Sequence, residues 1–219
     1  MDTHFIYTNI PLYMKAAQLT LTLAFWGIAL STVIGFICSM IIYFKVKGLR
    51  HIVSGYIEVS RNTPLLIQLF FLYYGLPKMG IKLEAYTCAI LGLSFLGGSY
   101  MAEAFRSGFE AVSQIQIESG LSIGLTKPQL IRYVVLPQAF AVAIPALSAN
   151  GIFILKETSI VSAIALADLM FVAKDLIGMY YKTTEALFML VVAYLIILLP
   201  LSLLLTFIER RVRNAGFGN

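Results

Sequence analysis

The chain has 219 residues, of which 59% are hydrophobic and only 12% charged, against roughly 25% charged in a soluble domain. That excludes a soluble globular protein. It leaves an all-α integral membrane protein with room for about five spans and no sizeable extramembrane domain. The net charge of +5 comes from Lys and Arg gathered between apolar segments, where they act as topology signals, so no nucleic-acid partner is expected.

The N-terminal "MDTHFIYTNIPLYMK" lacks a basic start and a small-residue cleavage site, so the first span is expected to serve as an uncleaved anchor. That span is predicted from about Ala16 to Phe44, followed by Lys45, Lys47 and Arg50. The excess of positive charge after the span places the N-terminus outside and the "KVKGLR" loop in the cytoplasm. A second span is expected from Val53 to Leu76 and a third from Ala85 to Ala104, joined by the outer turn "PKMGIK". A fourth follows from Leu130 to Asn150 and a last from Ala186 to Ile208. Arg210, Arg211 and Arg213 then put the C-terminus inside. An N-out, C-in chain needs an odd number of spans, which five satisfies. The stretch "IVSAIALADLMFVA", interrupted by Asp168, is thereby left as a re-entrant or short outer element, allowed at membrane depth only where protein buries it or water lines it.

Cys38 and Cys88 sit among apolar neighbours without a CxxC pattern, and His4 and His51 lie far apart. Neither a disulfide framework nor a metal site is expected.

Between the third and fourth spans lies the polar "QIESGLSIGLTKPQLIRYVVLP". Ser113 with Gln116 has the form of a capping box, Gly124 is a natural helix stop, and Thr126 with Gln129 repeats the capping pattern with Pro128 in the first turn. The prediction is a cytoplasmic helical hairpin over about 110–130: a helix of about ten residues, a glycine turn, and a second helix running into the fourth span. Ile117, Gly120 and Leu121 share one face, and Gln114, Glu118 and Ser122 the next, with Ile115 spoiling the division.

This stretch resembles the EAA signature of ABC importer permeases. Glu118 and Gly124 have the family's spacing, Leu136 and Pro137 complete its ending with Val134 in place of Ile, and Ser119 and Gly120 replace its two alanines. "RNTPLLIQLFFLYYG" (Arg61–Gly75), "GSYMAEAFRSG" (Gly98–Gly108) and "LKETSIVSAIALADL" (Leu155–Leu169) are similar to the polar amino-acid uptake branch of those permeases. The resemblance implies a single permease domain over 1–219 in a bacterial plasma membrane, with the type I importer fold. It implies that the hairpin docks on a cytoplasmic ABC ATPase dimer through Ile117, Glu118, Leu121, Gly124 and Pro137. It further implies a second permease subunit and an extracytoplasmic substrate-binding protein. ATP and Mg would belong to the ATPase, and membrane lipid surrounds the spans.

Polar groups inside spans should face a partner or a cavity. Thr63 and Gln68, Ser99 with Tyr100, and Asn150 are such groups, each of which packing between helices would also explain. Pro137 and Pro145 are expected to bend the fourth span, and Asn150-Gly151 to break it. A broken helix offers free backbone groups and dipole ends to the carboxylate and ammonium of an amino acid. Thr63, Gln68, Ser99, Asn150, Gly151, Glu157 and Thr158 are therefore the candidate substrate residues. The family resemblance implies that an acidic residue after this Asn suits basic substrates, and here Gly151 stands there. Glu103, Arg106 and Glu110 have the spacing of helix-end salt bridges.

No GxxxxGK[ST] or HExxH occurs, so neither ATP chemistry nor a membrane enzyme is expected of this chain. An ion-gradient-driven secondary transporter is the alternative; the short length and the lack of an evident internal repeat weigh against it.

Overall fold

In the computed structural model residues 1–216 are described; the Arg213 side chain of the C-terminal basic run falls outside the described residues. Every element in 1–216 is helical.

Helix α1 spans Thr3–Tyr43, starting well before the expected Ala16. Asp2 caps it by accepting the Phe5 N–H at 3.1 Å. At 41 residues it is about 60 Å long, twice the ~30 Å hydrocarbon core. Hydropathy does not register its polar N-terminal part, because tertiary packing is what holds it helical. Phe5, Tyr13 and Ala16 bury themselves against Leu169, Val172, Leu176 and Met189.

The second expected span, Val53–Leu76, is broken in two. Helix α2 (Leu49–Arg61) ends before Asn62–Pro64, and α3 (Leu65–Phe70) runs on through a wide turn, Phe71–Gly75, into a tight one, Leu76–Met79. Pro64 has no N–H to give and disfavours helical backbone at Thr63. Gln68 repairs the break by donating Nε2 to the carbonyls of Ser60 and Thr63, at 3.2 and 3.0 Å.

Helix α4 (Ala85–Glu110) crosses the middle of the chain as expected. The hairpin follows as α5 (Gln114–Ser122) and α6 (Lys127–Leu130), the latter continuing through a wide turn at Ile131–Val135 into α7 (Leu136–Glu157). Both wide turns stand immediately before a Leu-Pro pair. Leu76 N–H bonds to Phe71 O and Leu136 N–H to Ile131 O. A proline ring collides with the carbonyl four residues back, and widening the helix by one residue relieves the collision.

A tight helical segment, Thr158–Ile164, leads to Ala165 in left-handed backbone (φ 61°) and then to α8 (Leu169–Tyr180) and α9 (Thr183–Gly216). Among the described residues, four helical stretches are long and apolar enough to cross a membrane: Thr3–Tyr43, Ala85–Glu110, Lys127–Ile164 and Thr183–Val212; Leu65–Met79 is a shorter apolar piece. The core runs through α4. Leu93, Met101 and Phe105 pack with Leu23 of α1, Leu65 and Leu69 of α3, and Ile154 of α7.

Candidate functional site

The hairpin is built largely as its local signals require. Gly124 adopts φ +87°, Gly124 N–H bonds to Leu121 O at 3.0 Å, and Leu125 N–H bonds to Gly120 O at 3.1 Å. These two bonds form a Schellman turn, which needs a residue free to enter left-handed backbone. Thr126 N–H donates to Gln129 Oε1 at 2.9 Å, closing the second cap. The first is different: Ser113 stands at the N-cap position in extended backbone, but its side chain makes no capping bond. Gly120, where the family signature has alanine, is buried with Leu130 against it; a Cβ there would lie 2.5 Å from Leu130 Cδ1. The exchange thus lets α5 fold tightly onto α6.

Of the hairpin residues singled out, Ile117 turns inward onto the core and Glu118 is exposed. Leu121 stays 48% exposed, beside Ile115 at 73% and Ile123 at 80%. Three large apolar side chains thus remain uncovered on a short polar hairpin. Pro137 stands at the start of α7.

The predicted break at Asn150-Gly151 does not occur. α7 runs unbroken through both residues to Glu157, and the irregular backbone comes afterwards, at Thr158–Ala165. Asn150 instead reaches across to α4, donating Nδ2 to Tyr100 O at 3.1 Å. This side chain-to-backbone bond locks α7 against α4. Gly151 is itself buried, yet a Cβ there would meet nothing within 4 Å, so there is space beside the helix at this position.

Ser99 is buried and donates to Leu96 O at 2.6 Å within its own helix. Thr63 likewise donates to Val59 O at 2.7 Å. The Oε1 of Gln68 is buried without a partner among the described residues. Two groupings result: Thr63 with Gln68 at the α2–α3 elbow, and Ser99-Tyr100 with Asn150 at the α4–α7 contact. Glu157 is half-buried and Thr158 fully buried, the latter donating to Leu155 O at 2.7 Å. They lie about two turns further along from Asn150 and form a separate patch.

Asp168 is fully buried and caps α8, accepting the N–H groups of Phe171 at 2.9 Å and Met170 at 3.2 Å. Thr20 Oγ1 accepts Leu169 N–H at 3.4 Å beside it. An irregular segment is thereby tied down by protein groups.

On α4, Arg106 pairs with Glu103 at 2.7 Å and with Glu110 at 2.8 Å, as the spacing required. Arg61, which no local motif marks as a site residue, joins this end of the molecule. Its guanidinium lies 3.6 Å from Glu103 Oε2 and 5.4 Å from the centre of the Tyr100 ring. The signal was an arginine inside a stretch read as a span, which is costly unless it faces protein or water.

Residues 27–214 match the family described as binding-protein-dependent transport system inner membrane component. The chain is 31% identical to the probable amino-acid ABC transporter permease PatM of Vibrio harveyi, over 98% of this chain and 97% of that one. It is 32% identical to the glutamine transport system permease GlnP of Escherichia coli K12, over 97% and 98% of the two chains. A crystal structure of an amino acid ABC transporter with histidines superposes with a TM-score of 0.90 at 34% identity, covering 96% of this chain and 99% of that one.

Proposed function

The chain belongs to the family of binding-protein-dependent transport system inner membrane components, and from that premise we propose that it carries a polar amino acid across the membrane, driven by ATP that a separate ATPase pair binds with Mg. It is a multi-pass inner-membrane permease subunit of an amino-acid ABC importer and a transport subunit, not an enzyme. A second permease copy, identical or paralogous, completes the pathway, and an extracytoplasmic binding protein delivers substrate to the outer face. The N-terminus lies outside and the hairpin inside.

One observation carries the coupling mechanism: the second arm of the hairpin, α6, and α7 belong to one continuous helical body, Lys127–Ile164. The ATPase takes Leu121, Ile115 and Ile123 into an apolar groove, with the Schellman turn at Gly124 fixing the angle of α5. When ATP closes the two ATPase subunits, the hairpins move together, and α6–α7 carries that displacement to Asn150 and Gly151. Asn150 holds α4 to α7, so both helices move as a unit and the path alternates between inward-open and outward-open.

Gly151 leaves room without a fixed charge, which suits a neutral or larger polar amino acid over a basic one. Glutamine, the substrate named for one relative, fits that description. The test is ATPase activity of the assembled complex, with binding protein, against a panel of amino acids. Neutral polar amino acids should stimulate hydrolysis most. Hydrolysis indifferent to every amino acid would overturn the proposal.

A further inference from the structure

Arg61 closes α2 within the stretch that hydropathy joined as a second span, and the one carboxylate near it, Glu103, is shared with Arg106. The arginine faces Tyr100 and Glu103, which lie about 10–15 Å along α4 from its end at Glu110. Its side chain is 42% exposed. In a chain that crosses a membrane, a half-exposed arginine faces water or a partner, because lipid would make it costly.

The guanidinium makes no hydrogen bond among the described residues; its single ionic contact is Glu103 Oε2 at 3.6 Å. Glu103 is already engaged, receiving Arg106 Nη2 at 2.7 Å and Nε at 3.2 Å. Nor is Arg61 needed to fasten α2 to α4. Tyr56 and Ser60 do that, donating to Phe95 O at 2.6 and 2.9 Å. What positions the guanidinium is the face of the Tyr100 ring, 5.4 Å away, which orients a planar cation and leaves its forked donors unused. The carbonyl of the same Tyr100 receives Asn150, so Arg61 sits on the α4–α7 contact that borders the space beside Gly151.

Resting on the amino-acid import reading, we propose that Arg61 receives the α-carboxylate of the amino acid as it passes through the membrane. A carboxylate matches the fork in a two-point contact, and every amino acid carries one whatever its side chain. Glu103, held beside the cation, competes with the arriving carboxylate and keeps the contact weak enough to release, as conduction requires.

The test uses the intact permease–ATPase complex without binding protein. The probes are the amino acid that stimulates hydrolysis most strongly and its carboxamide, which lacks the negative charge. The wild type should bind the acid about tenfold or more tightly than the amide. Arg61→Gln should bind the two alike, and Arg61→Lys should restore part of the preference, since it keeps the charge and loses the fork. A structural role for Arg61 would weaken both probes in proportion. An undiminished preference in Arg61→Gln would therefore overturn the inference; should that variant not fold, an undiminished preference in Arg61→Lys would do so. A wild-type complex that neither binds nor responds to any amino acid would instead sink the import reading on which this inference rests.

Discussion

Helices α4 and α9 are both of spanning length, and they order themselves against intuition. The more hydrophobic of the two, with mean hydropathy 2.8, is 11% buried within the molecule, whereas the segment at 1.3 is 72% buried. In water the greasier helix would form the core. In a bilayer, lipid tails solvate leucine as well as protein does, so high hydropathy marks the face turned to lipid or to another subunit. The protein core instead goes to small residues that let backbones approach. The contacts of α4 use them: Gly35 of α1 lies against the backbone of Met101 and Ala102 on α4, and Gly108 of α4 lies against the carbonyl of Ala139 on α7.

The largest expected effect breaks that packing. A Cβ at Gly108 would collide with the Ala139 carbonyl and stand 3.0 Å from Ala143 Cβ, and backbone cannot yield as a side-chain tip can. Gly108→Ala should cost about 1–3 kcal/mol, and Gly108→Val should abolish folded protein. Leu203→Ala on α9, at a side chain 71% exposed, should stay within about 0.5 kcal/mol. Thermal unfolding in detergent compares the three; equal losses at α4 and α9 would overturn the contrast.

Gly124→Val separates a packed glycine from a conformational one. Nothing lies within 4 Å of a Cβ there, but the φ of +87° makes the left-handed turn cost roughly 1–2 kcal/mol for a residue with a side chain. Expression should persist while ATP hydrolysis loses its link to uptake. Normal coupling in this variant would remove the hairpin from the mechanism.

A third glycine, Gly151, is neither crowded nor strained. Gly151→Glu should fit in the open space and shift substrate preference toward arginine or lysine by about tenfold, or roughly 1.4 kcal/mol, read by uptake competition beside Glu157→Gln. An unchanged ranking in both variants would place the pocket elsewhere.

The smallest effect belongs to the clasp between the N-terminus and the start of α9. Asp2 N–H donates to Glu185 Oε1 at 2.9 Å, and Lys182 Nζ lies 3.2 Å from Asp2 Oδ2. The Phe5 N–H, followed by Lys182, holds the Asp2 carboxyl below the usual carboxylate range. Its contribution is therefore complete above the unfolded value of about 3.9 and is lost as pH falls through the lowered pKa. Asp2→Asn should melt slightly earlier than wild type at pH 7, and the two curves should converge in acid. A constant gap down to pH 2 would assign the difference to something other than this charge.

The sequence by itself determined the features written in local chemistry. Composition settled the membrane class, the i, i+3 and i, i+4 spacing settled the Glu103–Arg106–Glu110 pairs, and the Gly124 turn and the Thr126–Gln129 cap settled the hairpin, because each involves residues within a turn or two of one another. The break at Pro64 was local as well, though hydropathy joined the apolar residues on either side of it. Tertiary structure decided the rest. α1 extended back to Thr3 only because α8 and α9 offered Phe5 and Tyr13 a surface. Asn150-Gly151 stayed helical because the side chain found Tyr100 across an interhelical gap. Arg61 acquired its place from Tyr100 and Glu103 on another helix. Such contacts join residues tens of positions apart, and no window along the chain contains both partners.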